Sequence, residues 1–209
     1  MKFTDKQIDL LRERVRASMS DFRFTHAAEV EKMAARIGDL YVPDKIDVLR
    51  VASLLHDVTK EVDLDGQIAM LENGGERTGD FERLSYKTLH ARTAVYAIKR
   101  DYPEFADEEV LRAVRYHTTG RADMTLTEMI VYLADYIDES RKFDDCVYLR
   151  NYFWGAEPEK MGECEREEHM LRTLLISFDM TLTALIKEDA LTSVESVEAR
   201  NSIVAKLKA

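Results

Sequence analysis

The run Val48-Leu49-Arg50-Val51-Ala52-Ser53-Leu54-Leu55 closes on His56-Asp57 and is followed three residues later by Lys60. Apolar side chains at almost every position of such a segment predict a helix buried on most sides, because a surface helix needs only one apolar stripe. A helix of that kind has to be wrapped by others, so a helical bundle is the expected architecture. Its end is chemically marked. The helix dipole is negative there, and a carboxylate at Asp57 is mildly disfavoured unless a cation lies close by. An Asp that merely turns the chain is the plainer alternative.

The remaining segments read as partners for that helix. Three Pro and eight Gly in 209 residues, with few alternating Val, Ile and Thr, point to an all-α chain. The length suits one domain over residues 1–209, with a core at about 20–150 and C-terminal helices at about 158–209. Thr4-Asp5-Lys6-Gln7 has the form of a capping box and opens a helix to about Ser18. Ser20 to Thr25 reads as a link, after which His26 stands in the first turn of a helix ended by Gly38. Pro43-Asp44 starts the buried helix, Glu61 to Asp65 turn the chain, Gln67 to Glu72 form a short helix, and Glu76 to Leu84 read as an exposed loop. From Ser85 a helix carries His90 beside the small residues Ala91, Ala94 and Ala97. Asp107 is placed to cap a helix running to Tyr116-His117, and Thr118-Thr119-Gly120 breaks it. A second capping box, Thr125 to Glu128, opens a helix with Asp135 among apolar residues and with Asp138 and Arg141 at i+3 and i+6. Phe143, Tyr148, Tyr152, Phe153 and Trp154 mark an aromatic loop. After Pro158 comes a long helical stretch in which His169 reads as exposed, and Thr192 to Glu195 cap a last helix.

A net charge of −10 argues against broad non-specific binding to nucleic acid, which needs clustered Lys and Arg. No basic leader opens the sequence, and no stretch approaches the roughly 20 apolar residues of a membrane span. A cytosolic chain without a membrane partner is therefore expected. Cys146 and Cys164 lack a Cys-x-x-Cys spacing and read as reduced, partly buried thiols.

His26, His56, Asp57, His90, His117 and Asp135 come from five predicted helices or helix ends. Taken singly, His26 and His90 are ordinary helix histidines, and the hydroxyls after His117 could simply bond their own backbone. Taken together, mixed imidazole and carboxylate donors suit a divalent first-row ion such as iron, manganese, nickel or zinc better than magnesium. Asp57 could bridge two ions, and a loop carrying a ring nitrogen, hydroxyls and free N–H groups at His117-Thr118-Thr119-Gly120 suits phosphate oxygens.

The pieces Arg23-Phe24-Thr25-His26, Leu55-His56-Asp57-Val58-Thr59-Lys60, Leu89-His90-Ala91, Tyr116-His117-Thr118-Thr119-Gly120 and Ala134-Asp135-Tyr136-Ile137-Asp138-Glu139-Ser140-Arg141 resemble the bacterial YqeK family. That family groups HD-domain symmetrical bis(5'-nucleosyl)-tetraphosphatases. The resemblance is strong over about residues 20–150 and weak towards Glu198-Ala199-Arg200-Asn201. It implies an HD-domain helical bundle that hydrolyses diadenosine tetraphosphate to two ADP by metal-activated water, with one or two ions, iron foremost. His26, His56, Asp57 and Asp135 match the primary metal ligands. His90 and His117 match positions facing a second metal or substrate phosphate, and both roles stay open. Asp57 and Lys60 match catalytic positions, Lys60 neutralising phosphoryl charge. Thr118, Asp138 and Arg141 would complete the nucleotide and phosphate contacts, with Arg200 and Asn201 as additions from the tail. Another nucleotide substrate for an HD phosphohydrolase, or a metal-containing nucleotide-binding regulator, is the competing reading. The oligomeric state is left open, a homodimer included.

Overall fold

The capping box at Thr4 forms as the sequence predicts, with its hydroxyl accepting from Gln7 N, and it opens α1 (Asp5–Ser18). Residues 2–209 are described by the computed structural model, and they contain helices and turns but no strand. The expected link at Ser20 to Thr25 is helix instead. Ser20 accepts from Arg23 N as N-cap, so α2 runs Asp21–Tyr41 and His26 sits in its second turn. Gly38 does not stop α2 either. A Cβ there would lie 2.4 Å from Leu49 Cδ1, so the glycine serves close helix approach rather than termination.

After a 3-10 turn at Pro43–Lys45 the buried run forms α3 (Ile46–Leu55), in which every residue from Asp47 to Leu55 except Arg50 is buried. Next come α4 (Leu64–Asn73), α5 (Asp80–Leu84), α6 (Leu89–Asp101), α7 (Glu108–Tyr116) and α8 (Leu126–Ile137). Thus α5 occupies the end of the segment expected to be loop. The helix carrying His90 begins at Leu89, after a 3-10 turn at Tyr86–Thr88. Helix α3 lies at the centre, packed by α1, α2, α7 and α8, while α6 covers α7. This topology brings the C-terminal end of α3 against α2, α6, α7 and α8, which is how residues distant in sequence meet.

The aromatic stretch after Lys142 is α9 (Asp144–Gly155), not a loop. Its side chains face the bundle at Cys146, Leu149 and Phe153 and leave Tyr148 outside. Helices α10 (Glu163–Lys187) and α11 (Val194–Lys208) form an antiparallel pair across the bundle. His169 is buried on α10, not exposed: its ring stacks on Tyr152 and Phe153, and Nε2 lies 3.0 Å from Phe153 O. The expectation about membrane spans also needs correction, because α10 is long and apolar enough by length and composition to cross one. Its Met170, Leu174 and Phe178 are packed into the core. Ser193 is the N-cap of α11 but makes no side-chain cap bond, and Glu195, expected to help cap, is engaged elsewhere. Cys146 is buried and Cys164 exposed, both as free thiols.

Candidate active site

Helix α3 delivers His56 and Asp57 into a pocket that is also reached by His26 of α2, His90 of α6, His117 at the end of α7 and Asp135 of α8. Two hydrogen bonds set the ring orientations. His56 Nδ1 donates to Ser53 O at 2.6 Å, and His117 Nδ1 donates to Val114 O at 2.7 Å. A neutral imidazole that donates from Nδ1 keeps a lone pair at Nε2, the form a metal requires. Both carbonyls lie three residues upstream in the last turn of a helix, where orphan acceptors are available.

The Nε2 atoms then converge on carboxylates. His26 Nε2 is 2.9 Å from Asp135 Oδ1 and 3.8 Å from Asp57 Oδ2, while His56 Nε2 is 3.5 Å from Asp57 Oδ2 and 3.7 Å from Asp135 Oδ1. Neither Nε2 has an aligned hydrogen-bond partner, although both are buried. Buried nitrogens normally find one. Ring nitrogens turned to a shared point between two carboxylates rather than along a donor direction fit a cation held among His26, His56, Asp57 and Asp135. The other oxygen of Asp57 faces a second group: Oδ1 is 3.1 Å from His90 Nε2 and 3.8 Å from His117 Nε2. Those two nitrogens are themselves 3.1 Å apart. Within each His/Asp trio, including His26-His56-Asp57 and Asp57-His90-His117, the donor atoms lie within 4.8 Å of one another. The cluster is able to bind metal, and Asp57 stands between its two halves.

Electrostatics follow from this crowding. Burial opposes ionisation of Asp57, but His56 and His90 outweigh it and hold the carboxyl well below its ordinary range. Burial opposes Asp135 in the same way, and Arg141, 2.6 Å from its Oδ1, with His26 keeps it ionised. For His26, burial lowers the pKa, yet bonding to Asp135 and Asp138 prevails and raises it to about 9. Burial pushes His90 and His117 down; the hydrogen bond to Asp57 opposes it at His90, whereas His56 and His90 add to it at His117. Burial also lowers Lys60, with Asp57 and Asp135 opposing. The Lys60 ammonium rests 3.2 Å from the ring nitrogens of His90.

A cavity of about 370 Å³ opens over the cluster, lined among others by Lys60, His117, Thr118, Asp135, Tyr136 and Arg141. Three expected substrate contacts lie elsewhere. Asp138 is fully buried, its Oδ2 is 3.3 Å from His26 Nδ1 and its Oδ1 accepts from Ser140 N at 2.8 Å, so it faces His26 and does not line the cavity. Arg200 bonds Asp179 on α10, and neither Arg200 nor Asn201 lines the cavity. Two residues without an expected role belong here: Arg23, whose Nη1 donates to Asp57 Oδ2 at 2.6 Å, and Ser140, 3.3 Å from His26 Nδ1. Arg23 stands three residues before His26, on the same helix face, and that spacing was the available signal.

Residues 23–140 match the HD domain family. The chain belongs to the HD-domain family. A symmetrical bis(5'-nucleosyl)-tetraphosphatase of Staphylococcus aureus is 31% identical over 182 residues, covering 86% of this chain and 90% of that protein. Another, from Halalkalibacterium halodurans, is 32% identical over 131 residues, 62% of this chain and 67% of the relative. The crystal structure of a predicted HD superfamily hydrolase involved in NAD metabolism from Clostridium acetobutylicum superposes with a TM-score of 0.80 at 28% identity, over 95% of this chain and 97% of that one. This HD-domain protein is thus an enzyme of the YqeK-like, symmetrical bis(5'-nucleosyl)-tetraphosphatase group.

Proposed function

We propose that this HD-domain enzyme hydrolyses diadenosine tetraphosphate at its central anhydride to two ADP, using a divalent transition metal, iron foremost, held by His26, His56, Asp57 and Asp135. The reading is supported by the partnerless Nε2 atoms of His26 and His56 turned towards two ionised carboxylates, and the substrate by the names of the relatives. An ion bound there would supply Lewis acidity, which acidifies water and draws in phosphate oxygens.

The chain's own groups do the rest. Asp57, kept ionised by its neighbours and held by Arg23, orients the donor set and faces both halves of the cluster. Lys60 and Arg141 line the cavity and offset the charge that builds on the departing ADP as the central bridge breaks. His117, kept neutral by burial with Nδ1 donating to Val114 O, can offer its Nε2 lone pair to a second ion, and His90, with Nδ1 facing the Lys60 ammonium, can either join it or donate from Nε2 to a phosphate oxygen. A symmetric substrate needs a single site of this kind, since either half is the same leaving group. One domain over residues 1–209 carries the reaction, and the free thiols of Cys146 and Cys164 fit a cytoplasmic enzyme.

The test is product analysis. Protein purified without chelator, with its metal measured, should convert diadenosine tetraphosphate to ADP alone, and Asp57→Ala should abolish turnover. ATP with AMP, or full activity in Asp57→Ala, refutes the assignment.

A further inference from the structure

Five large apolar side chains that the fold leaves exposed collect in one place: Phe81, Leu84, Tyr86, Leu191 and Val194. They line a cavity of about 790 Å³ between residues 81–88 and the turn joining α10 to α11. Thr118 and Thr181 line both this cavity and the smaller one above the His/Asp cluster, so the two adjoin. At their junction Thr118 Oγ1 is buried without a partner.

The walls are built, not incidental. Arg92 on α6 forks to Glu76 and to Glu82, the latter at 3.1 Å, and pins the α5 segment. Opposite, Arg115 on α7 holds Glu195 of α11 at 2.7 Å, and Thr119 donates to the same carboxylate at 2.9 Å. Lys60 Nζ donates to Lys87 O at 3.4 Å, so the wall carrying Tyr86 starts beside the ammonium of the site. Aromatic faces with cations at the rim suit a heteroaromatic base joined to phosphates, and the volume is that of a ligand pocket. A phosphate ester small enough for the inner cavity would use none of it.

We propose that this outer cavity is the subsite for the second nucleoside of a dinucleoside polyphosphate, with its base on Phe81 and Tyr86 and with Lys87 at the phosphates beyond the broken bridge. The inference rests on the function proposed above and adds where the leaving half is held.

The test is the double variant Phe81→Ala with Tyr86→Ala, in metal-loaded full-length protein. Both side chains are exposed, so an unchanged melting temperature is expected to confirm an intact fold. Loss of base stacking should raise Kd and KM for diadenosine tetraphosphate about 5- to 100-fold. The inhibition constant of inorganic pyrophosphate, which has no nucleoside, should stay constant. Unchanged Kd and KM overturn the proposal, and so does equal weakening of pyrophosphate, which would mean the inner site had moved. Wild-type protein that yields ATP and AMP would refute the reaction, not the subsite, because the Kd comparison between wild type and variant still reads it.

Discussion

At the scale of the residue, the telling contrast is between His26 and the other histidines of the cluster. Burial works against protonation at His26, His90 and His117, but only His26 has Asp135 on one nitrogen and Asp138 on the other, and its pKa rises to about 9. Without metal it is therefore protonated near neutrality, whereas a ligand must offer a lone pair. Metal uptake between pH 6.5 and 9 should displace about one proton per site, and affinity should climb roughly tenfold per pH unit across that window. Titration calorimetry in buffers of different ionisation enthalpy measures the proton directly, and an apparent enthalpy independent of buffer would contradict it. Lys60 gives a second prediction. It lines the cavity but is not among the donors, so Lys60→Met should keep its metal while kcat falls about 10²- to 10³-fold, the usual effect of deleting one charge stabiliser. Elemental analysis beside steady-state kinetics separates this from loss of the ion.

At the scale of the element, the loop after α7 shows how the C-terminal helices serve the site. Gly120 has φ +61, and a Cβ there would meet Phe178 Cζ of α10 at 2.5 Å and Ala199 Cβ of α11 at 3.0 Å. Gly120→Ala should therefore destabilise the protein by about 1–3 kcal/mol, read as a lower denaturation midpoint. It should also reduce activity, because the clash pushes on the loop that follows His117. Such couplings explain what could be read in the sequence and what could not. Periodicity and caps place α1, α7 and α8 because their signals are local: Thr4, Asp107 and Thr125 cap in the structure as their spacing predicts. The stop expected at Gly38 failed because that glycine answers to Leu49 on another helix, which no local pattern records. The same holds at the site. His56-Asp57 was legible as a doublet at a buried helix end, and resemblance gathered its partners. That Asp138 turns inward to His26, or that Arg23 bonds Asp57, depends on how α2 and α8 pack together.

At the scale of the whole molecule, the charged centre couples stability to pH and to metal. His26 has a folded pKa above its ordinary 6.5, so its contribution is complete below pH 6.5 and is lost as pH rises through about 9. His90 and His117 are shifted the other way: below pH 6.5 the unfolded chain takes up protons that the folded chain refuses, and stability falls. Asp57 and Asp135, held low, remove more stability only at stronger acidity, below their ordinary 3.8. Metal-free protein should consequently be most stable near pH 6.5 and lose on the order of 2 kcal/mol towards pH 9 through His26. Bound metal reverses the alkaline side, because the proton that His26 loses there is one the ion would otherwise have to displace. At a thousandfold excess over its Kd an ion stabilises by about 4 kcal/mol, and Kd itself falls as pH rises. Thermal melts with metal and with chelator, taken across pH 6.5 to 9, should show a gap in Tm that widens with pH. A gap that is constant or narrows would mean that His26 does not exchange its proton for the ion, and the ligand set would then have to be redrawn without it.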